Sequence, residues 1–246
     1  MTASFIDQIL WGYLFGWTAT HDEEGTTYRQ NAHFLHVHFP VPLRGTTTDF
    51  FFQRRSVLAT PLSLPAYPHW LTLFAESAAV ASTIAAFLAH GYRFIDQQPV
   101  LSKTLVEIPP VQPANSTMKV TTELCMGVML AAGPAAMDYV PCPLAQSQEM
   151  TSLLHLQGHM VSRGTSYETP QRYAYLDAVA TAPEYRQQGF ATALLQHVEA
   201  NAHQAGMTHS LLATTPMGQP LYAKLGYEQV ATVIVLEKIP TPQQAL

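Results

Sequence analysis

The chain has 246 residues, of which 48% are hydrophobic and 12% are charged, with a formal net charge of −5. This composition argues against disorder, and the scattered Lys and Arg residues form no basic surface for nucleic acid. No apolar run reaches the roughly 18 residues that a membrane-spanning helix needs, and the first residues lack the features of a signal peptide. We therefore expect a cytoplasmic protein that binds neither nucleic acid nor a membrane.

Two patterns stand out near the start of the chain. The aromatic residues between Trp11 and Trp17 alternate with smaller ones, which fits either a strand or the rim of a helix and indicates a packing role. His36 and His38 would point to the same face of a strand and could begin a metal site. Because no carboxylate or thiol lies at a helpful spacing, we predict that no metal binds there.

The next elements follow a proline-rich loop at 61–68. Residues 70–77 are predicted to form a strand, 78–90 a helix that stops at Gly91, and 94–105 a closing pair of strands. Three prolines in positions 109–113 cannot continue a helix or a central strand, so 109–116 is predicted to be a linker. The predicted domains are therefore 1–108, called the first half below, and 117–246, called the second half.

The second half holds only weak signals before position 173, where 118–124 and 152–163 are candidate strands. Residues 173–181 are rich in aromatic and β-branched residues and are predicted to form a strand. Apolar residues then recur with helical spacing from Ala191, so a helix is predicted to run to about Gln204. The two cysteines, Cys125 and Cys142, exclude a disulfide-rich scaffold or a multi-thiolate zinc site. Free thiols are the favoured interpretation, although a single disulfide stays open.

The two halves share an order of elements. The strand, helix and closing strands of the first half are repeated in the second half at 210–215, 218–225 and 229–238. When Gly91 is placed on Gly226, Lys103 falls on Lys238 without any gap, and this register is called the repeat alignment below. The repetition predicts a duplicated fold.

The junction between strand 173–181 and the following helix carries the chemistry. Its residues, Arg186-Gln187-Gln188-Gly189-Phe190-Ala191, place unpaired backbone N–H groups at the positive end of a helix dipole, where a pyrophosphate binds. Gly189 and Ala191 keep side chains out of the way, and Arg186 adds positive charge. Thr192 could offer its hydroxyl to a phosphate or stabilise the first helical turn.

At this junction the sequence resembles the GNAT superfamily of acyl-CoA-dependent N-acyltransferases, whose cofactor motif is Arg/Gln-x-x-Gly-x-Gly/Ala. A second segment, Thr215-Pro-Met-Gly-Gln-Pro-Leu-Tyr-Ala-Lys-Leu-Gly-Tyr227, resembles the closing helix of the family, and the close match spans 173–237. The resemblance implies an α/β fold with a mixed, mostly antiparallel central sheet flanked by helices. With the internal repeat, it implies two such copies side by side.

The resemblance also implies a reaction and its residues. Acetyl-CoA would be the cosubstrate, no metal would be needed, and an acetyl or short acyl group would pass directly to a primary amine of a small molecule or peptide. Tyr222 would protonate the departing thiolate, and Asp177 is the preferred general base, with Glu168 and Glu149 as alternatives. The expected cofactor-binding residues are Ala178, Val179, Ala180, Thr181, Arg186, Gln187, Gln188, Gly189, Phe190, Ala191 and Thr192.

The first half departs from the motif. In the repeat alignment Arg186 corresponds to Phe51, the stretch 51–56 has no glycine, and Tyr222 corresponds to Phe87. The first half should therefore bind no CoA and should act as a built-in partner, giving a monomer with an internal pseudo-dimer, or a homodimer. Two alternatives to an enzyme stay open, namely an inactive CoA-binding sensor and a protein-interaction module.

Overall fold

The structure is a computed structural model that describes residues 5–21, 26–30, 34–43, 47–53, 64–106, 118–125, 149–157 and 159–239. The predicted linker at 109–116 and Cys142 lie outside these ranges. Within them, no helix is long and apolar enough to cross a membrane.

The described chain contains four α-helices and eleven strands. The helices are α1 (Phe5–Thr20), α2 (Val80–Leu88), α3 (Phe190–Gln204) and α4 (Gln219–Lys224). The strands are β1 (Thr27–Gln30), β2 (Phe34–Leu43), β3 (Thr47–Gln53), β4 (Trp70–Ala75), β5 (Tyr92–Thr104), β6 (Met118–Cys125), β7 (Glu149–Leu156), β8 (His159–Glu168), β9 (Tyr173–Thr181), β10 (His209–Ala213) and β11 (Glu228–Lys238). Short 3-10 turns at Ser77–Ala79 and Pro183–Tyr185 precede α2 and α3.

All eleven strands form one sheet, in the order β1-β2-β3-β4-β11-β5-β10-β9-β8-β7-β6. Only the pairs β3–β4 and β9–β10 are parallel, and every other neighbouring pair is antiparallel. The predicted mixed, mostly antiparallel sheet flanked by helices is confirmed.

Several local predictions need correction. The expected pair of strands over 94–105 is one long strand, β5, which is held on both sides by β11 and β10. The candidate strand at 152–163 is the end of β7 and the start of β8. In both cases the long-range pairing, rather than the local pattern, decides the element. Of the two alternatives for the aromatic stretch from Trp11 to Trp17, the structure has the helix, α1, and the predicted packing role is confirmed.

Helix α1 lies on the face of the sheet opposite to α2 and α3. Tyr173 and Tyr175 of β9 pack in the cluster that includes α1, whereas Leu176 packs with α3 on the other face. The helix approaches β9 closely, because a Cβ added at Gly16 would lie 1.9 Å from Cγ of Tyr175. A glycine is therefore required at this contact.

The sheet has an approximate internal two-fold symmetry. Read from one side, β2, β3 and β4 are followed by β11; read from the other, β8, β9 and β10 are followed by β5. The closing strand of each half thus lies against the other half. In the central β5–β11 pair, each strand carries one bulged residue, Ile95 and Val230, and these two positions are equivalent in the repeat alignment.

Side chains of the exchanged strands obey the same symmetry. Lys103 of β5 lies over the ring of Tyr227, and Lys238 of β11 lies over the ring of Tyr92. In each half the tyrosine ring also contacts an aromatic ring of the preceding helix. The centroid distances are 5.5 Å for Phe87–Tyr92 and 5.4 Å for Tyr222–Tyr227. The domain boundaries at 108 and 117 stay a prediction, since each half completes the core of the other.

The exchange of β5 is secured by an ion pair with a buried carboxylate. Nζ of Lys103 lies 2.5 Å from a carboxylate oxygen of Glu199 on α3, whose side chain is fully buried. Glu199 also accepts a hydrogen bond of 2.8 Å from the hydroxyl of Tyr227. Lys103, which belongs to the first half, therefore anchors α3 of the second half through one ion pair.

We predict that Lys103→Met lowers the free energy of unfolding by about 3–5 kcal/mol, because it leaves the charge of Glu199 buried and uncompensated. Lys238→Met is the matched control. Lys238 donates to the carbonyl of His90 and faces no buried carboxylate among its described contacts, so its loss should cost about 1 kcal/mol or less. Urea unfolding measures both, and equal costs for the two variants would contradict the assigned role of the ion pair.

Candidate active site

A cleft opens where the two parallel strands of the second half diverge. Strands β9 and β10 pair only from Tyr173 to Tyr175, opposite His209 to Leu211. Beyond this point β9 continues to Thr181 without a ladder to β10, so the edge of β9 that faces β10 is open to a ligand. A parallel pair that splays in this way offers backbone donors and acceptors in a strand-like row.

The open part of β9 is also kinked. The pairing with β8 slips between Arg163 and Thr165, and Ala178 adopts a φ of 51°. A left-handed alanine costs about 1–3 kcal/mol and persists where the surrounding structure imposes it. The kink turns the strand away from its neighbour at the start of the cleft.

Helix α3 begins at the far end of the cleft. Gly189 precedes it with a φ of 83°, a conformation that glycine adopts without strain, and a Cβ there would meet nothing within 4 Å. The first intrahelical bond runs from N of Ala193 to O of Gly189, and no side chain caps the helix. The N–H groups of Phe190, Ala191 and Thr192 therefore have no intrahelical partner and form an anion site.

The loop before α3 is held by its own hydrogen bonds. Nε of Arg186 donates to the carbonyl of Thr181 at 3.1 Å, which leaves the terminal guanidinium nitrogens for a ligand. Nε2 of Gln188 donates back to the carbonyl of Glu184 at 3.0 Å. Gln187 lies at a φ of 59°, a second left-handed position in the same loop.

These elements enclose one cavity of about 720 Å³. Of the thirteen site residues expected from the sequence, only Gln188 is not among the residues that line it. The residues that do are Asp177, Ala178, Val179, Ala180, Thr181, Arg186, Gln187, Gly189, Phe190, Ala191, Thr192 and Tyr222. The structure thus brings together residues from a strand, a loop and two helices.

Tyr222 lies on α4 at the wall of this cavity and is 7% exposed. Burial raises the pKa of Tyr222 to about 12, and the negative charge of Asp177 adds to the increase. The phenol therefore keeps its proton at any physiological pH. It shares the cleft with one carboxylate, that of Asp177 on β9.

The alternative carboxylates are less well placed. Glu168 forms an ion pair with Arg172 four residues along the chain, and it does not line the cleft. Glu149 begins β7, two strands away from β9, and its side chain lies outside the described part of the structure. Of the three carboxylates, Asp177 is the one found among the described residues that line the cleft.

The sequence predicts that the first half walls the cleft, but it does not reveal which residue does so. Gln98 of β5 lines the cleft because the exchanged strand lies directly beside β10. Met217, in the loop before α4, also lines it and is 78% exposed. No local pattern reveals Gln98, since its position follows from pairing between strands that are far apart in sequence.

The equivalent place in the first half is closed. Strands β3 and β4 pair in parallel from Phe50 to Phe52, opposite Trp70 to Thr72. The buried side chain of Gln53 accepts a hydrogen bond of 2.9 Å from N of Phe74. The backbone donor that follows the ladder on β4 is therefore already bonded to the side chain of Gln53. The expected equivalence of Phe51 with Arg186 is wrong, because Phe51 lies within β3, the counterpart of β9.

The sequence pattern of the two histidines on β2 also failed to reveal a nearby carboxylate. Asp49 of β3 lies between the two rings, with Oδ1 at 2.7 Å from Nε2 of His36 and 3.2 Å from Nδ1 of His38. The expectation that no carboxylate lies near is therefore wrong. Across the described residues, no group of His, Cys, Asp and Glu has an arrangement that could hold a metal ion.

Comparison with known families covers the part of the chain that bears the cleft. Residues 153–229, which contain β9, α3 and α4, match the family model described as an acetyltransferase (GNAT) domain. Over these residues the chain is similar to a GNAT domain. A comparison with curated proteins finds no match.

Solved structures show that the likeness in fold extends beyond the GNAT domain. A GCN5-related N-acetyltransferase from Kribbella flavida superposes with a TM-score of 0.64 and 14% identity, covering 99% of both chains. A tandem GNAT protein from the clavulanic acid biosynthesis pathway superposes with a TM-score of 0.55 and 11% identity, covering 96% of this chain and 88% of the other. At these identities the comparison establishes the fold alone, and it agrees with two GNAT-like units in one sheet.

Proposed function

We propose that the protein transfers an acetyl or short acyl group from acyl-CoA to a primary amine of a small molecule or peptide. One observation carries the proposal: the open edge of β9, the uncapped start of α3 and the phenol of Tyr222 meet in a single cleft. An extended thioester cofactor needs donors for its pyrophosphate, an open strand edge for its pantetheine arm and a proton donor at its thioester. Acetyl is preferred over longer chains because it is the common donor of the family.

The cofactor would lie along the cleft from β9 to α3. The pantetheine arm would pair with the open backbone of 178–181 as an added strand. Its pyrophosphate would accept hydrogen bonds from the N–H groups at the start of α3, with the guanidinium of Arg186 nearby. The thioester would then lie near Tyr222.

The reaction would proceed by direct attack. The neutral amine forms a C–N bond to the thioester carbonyl, whose oxygen gains negative charge and is stabilised by a strand N–H. The C–S bond breaks, the sulfur takes the electron pair and a proton from Tyr222, and the attacking nitrogen releases its extra proton, directly or through water, to the phenolate of Tyr222. Asp177, directly or through water, accepts the proton that the ammonium must lose before it can attack.

We propose a supporting role for the first half. Gln53 occupies its strand junction and Phe87 replaces the catalytic phenol, so it would bind no CoA and transfer no proton. Its contributions would be β5, which borders the cleft, and the pairing that makes the chain an internal pseudo-dimer. The chain would then act as a monomer.

The cofactor site is tested by Gly189→Glu. The new carboxylate would stand among the donors meant for the pyrophosphate, so binding of acetyl-CoA should weaken by at least 100-fold in isothermal titration. Gly226→Glu is the matched control, since Gly226 has a similar φ of 85° and equal space around it but does not line the cleft. It should bind acetyl-CoA as the wild type does, and equal losses in both variants would point to misfolding.

The role of the phenol is tested by Tyr222→Phe, which keeps the ring packed against Tyr227. Removal of a general acid should lower kcat by about 100-fold. The affinity for acetyl-CoA should stay within about threefold of wild type. An unchanged kcat would exclude Tyr222 as the proton donor, and a wild-type protein that binds acetyl-CoA but acetylates no amine in a broad screen would favour the sensor alternative.

The role of Asp177 is tested by the pH profile of Asp177→Asn. The loss in kcat/KM should be greatest near pH 7 and should shrink as the pH approaches about 10, where an alkyl amine begins to lose its own proton. A deficit that does not change with pH would mean that Asp177 orients the acceptor and accepts no proton.

A further inference from the structure

A second cavity, of about 110 Å³, lies in the first half between α1 and the sheet. A single water molecule needs only about 10–15 Å³ on the same measure, so the space is large enough for a small organic group. It shares no lining residue with the cleft of the second half. The described residues that line it are Tyr13, Trp17, His21, Phe50, Phe52, Trp70, Thr72 and Val235.

Aromatic rings from three elements form most of this wall. The ring of Trp17 on α1 lies 4.8 Å from that of Phe52 and 5.9 Å from that of Phe50, both on β3. Phe50 in turn lies 5.4 Å from Trp70 on β4. Trp17 is held in place by stacking on His21 at 4.1 Å, and Nδ1 of His21 is within 2.9 Å of the carbonyl of Trp17. The aromatic wall of the cavity is therefore preorganised.

Symmetry places this cavity at the position that Asp177 occupies in the second half. Trp70 pairs with Glu237, and Leu211 pairs with Ser102. Because Ser102 is the counterpart of Glu237 in the repeat alignment, Trp70 and Leu211 occupy equivalent positions. Across the parallel ladders, Phe50 lies opposite Trp70 as Tyr175 lies opposite Leu211. Two residues further along each strand, Phe52 takes the place of Asp177. The cavity is thus the counterpart of the part of the cleft around Asp177, with a ring in place of the carboxylate.

The chemistry of the wall favours a cation that carries apolar groups. The described lining residues include no Lys, Arg, Asp or Glu, so a strongly hydrated ammonium or an anion would lose its water without a charged partner. Aromatic faces carry negative potential and attract methylated ammonium groups, whose positive charge is spread over an apolar surface. The formal charge of −5 on the chain favours the approach of a cation.

We propose that this aromatic cavity binds a small methylated ammonium group, at a site separate from the acyltransferase cleft. The proposal does not rest on the function of that cleft. It assigns a ligand site to the half of the chain whose cofactor junction is closed by Gln53.

Tetramethylammonium is the probe, titrated at constant ionic strength against sodium chloride and without acetyl-CoA. Trp17 and Trp70 line the cavity, so binding should change tryptophan emission in a saturable way, and isothermal titration should give the same Kd. The neutral analogue 2-methylpropan-2-ol, of similar size, should bind at least tenfold more weakly. Equal affinity for the neutral compound, or no saturable change with the cation, overturns the proposal.

Three variants locate the site. Trp17→Leu should weaken tetramethylammonium binding at least tenfold, whereas Trp17→Phe, which restores an aromatic face, should recover most of it. Trp11→Leu removes an aromatic residue of the same helix that does not line the cavity and should leave the Kd unchanged. Circular dichroism confirms that each variant is folded. Wild-type affinity in Trp17→Leu would place the cation elsewhere and defeat the proposal.

Discussion

The antiparallel pairing of β5 with β11 is the constraint on which the rest of the structure depends. Each strand leaves the half that encodes it and lies beside the parallel pair of the other half. Through β5 the first half supplies the strand next to β10, the cation that neutralises Glu199 and the side chain of Gln98 at the cleft. Because neither half keeps its own closing strand, neither presents a complete core alone.

The paired strands of the sheet allow the cleft to keep local backbone features that cost free energy. Ala178 and Gln187 have left-handed backbone conformations, and the first N–H groups of α3 have no intrahelical partner. Each feature costs free energy in the empty protein. They persist because β8 holds the other edge of β9, and because α3 is anchored in the core through Leu194, Leu195 and Val198. The stability of the sheet thus maintains a site that a bound cofactor would complete.

Sequence reasoning recovered what is local and missed what is distant. The bounds of β9 and the end of α3 follow from composition and periodicity, and the cofactor loop follows from its glycine and its place before a helix. The position of Gln98 and the single long strand β5 depend on pairing across the chain, which no local pattern encodes. Asp49 was missed for the same reason, since it reaches His36 from the neighbouring strand. Even the internal repeat, correctly read from two matching residue pairs, gave no sign that its last strands are exchanged.

The two halves show how few changes separate an open strand junction from a closed one. Gln53 fills the strand junction that Ala178 leaves open, Phe87 lacks the hydroxyl of Tyr222, and Phe52 replaces the carboxylate of Asp177. None of these changes disturbs the sheet, because each keeps a side chain that the surrounding core can hold. The ring of Phe87 still contacts Tyr92, and Phe52 still packs against Trp17. The first half therefore keeps its packing and the exchange of its last strand although its strand junction is closed.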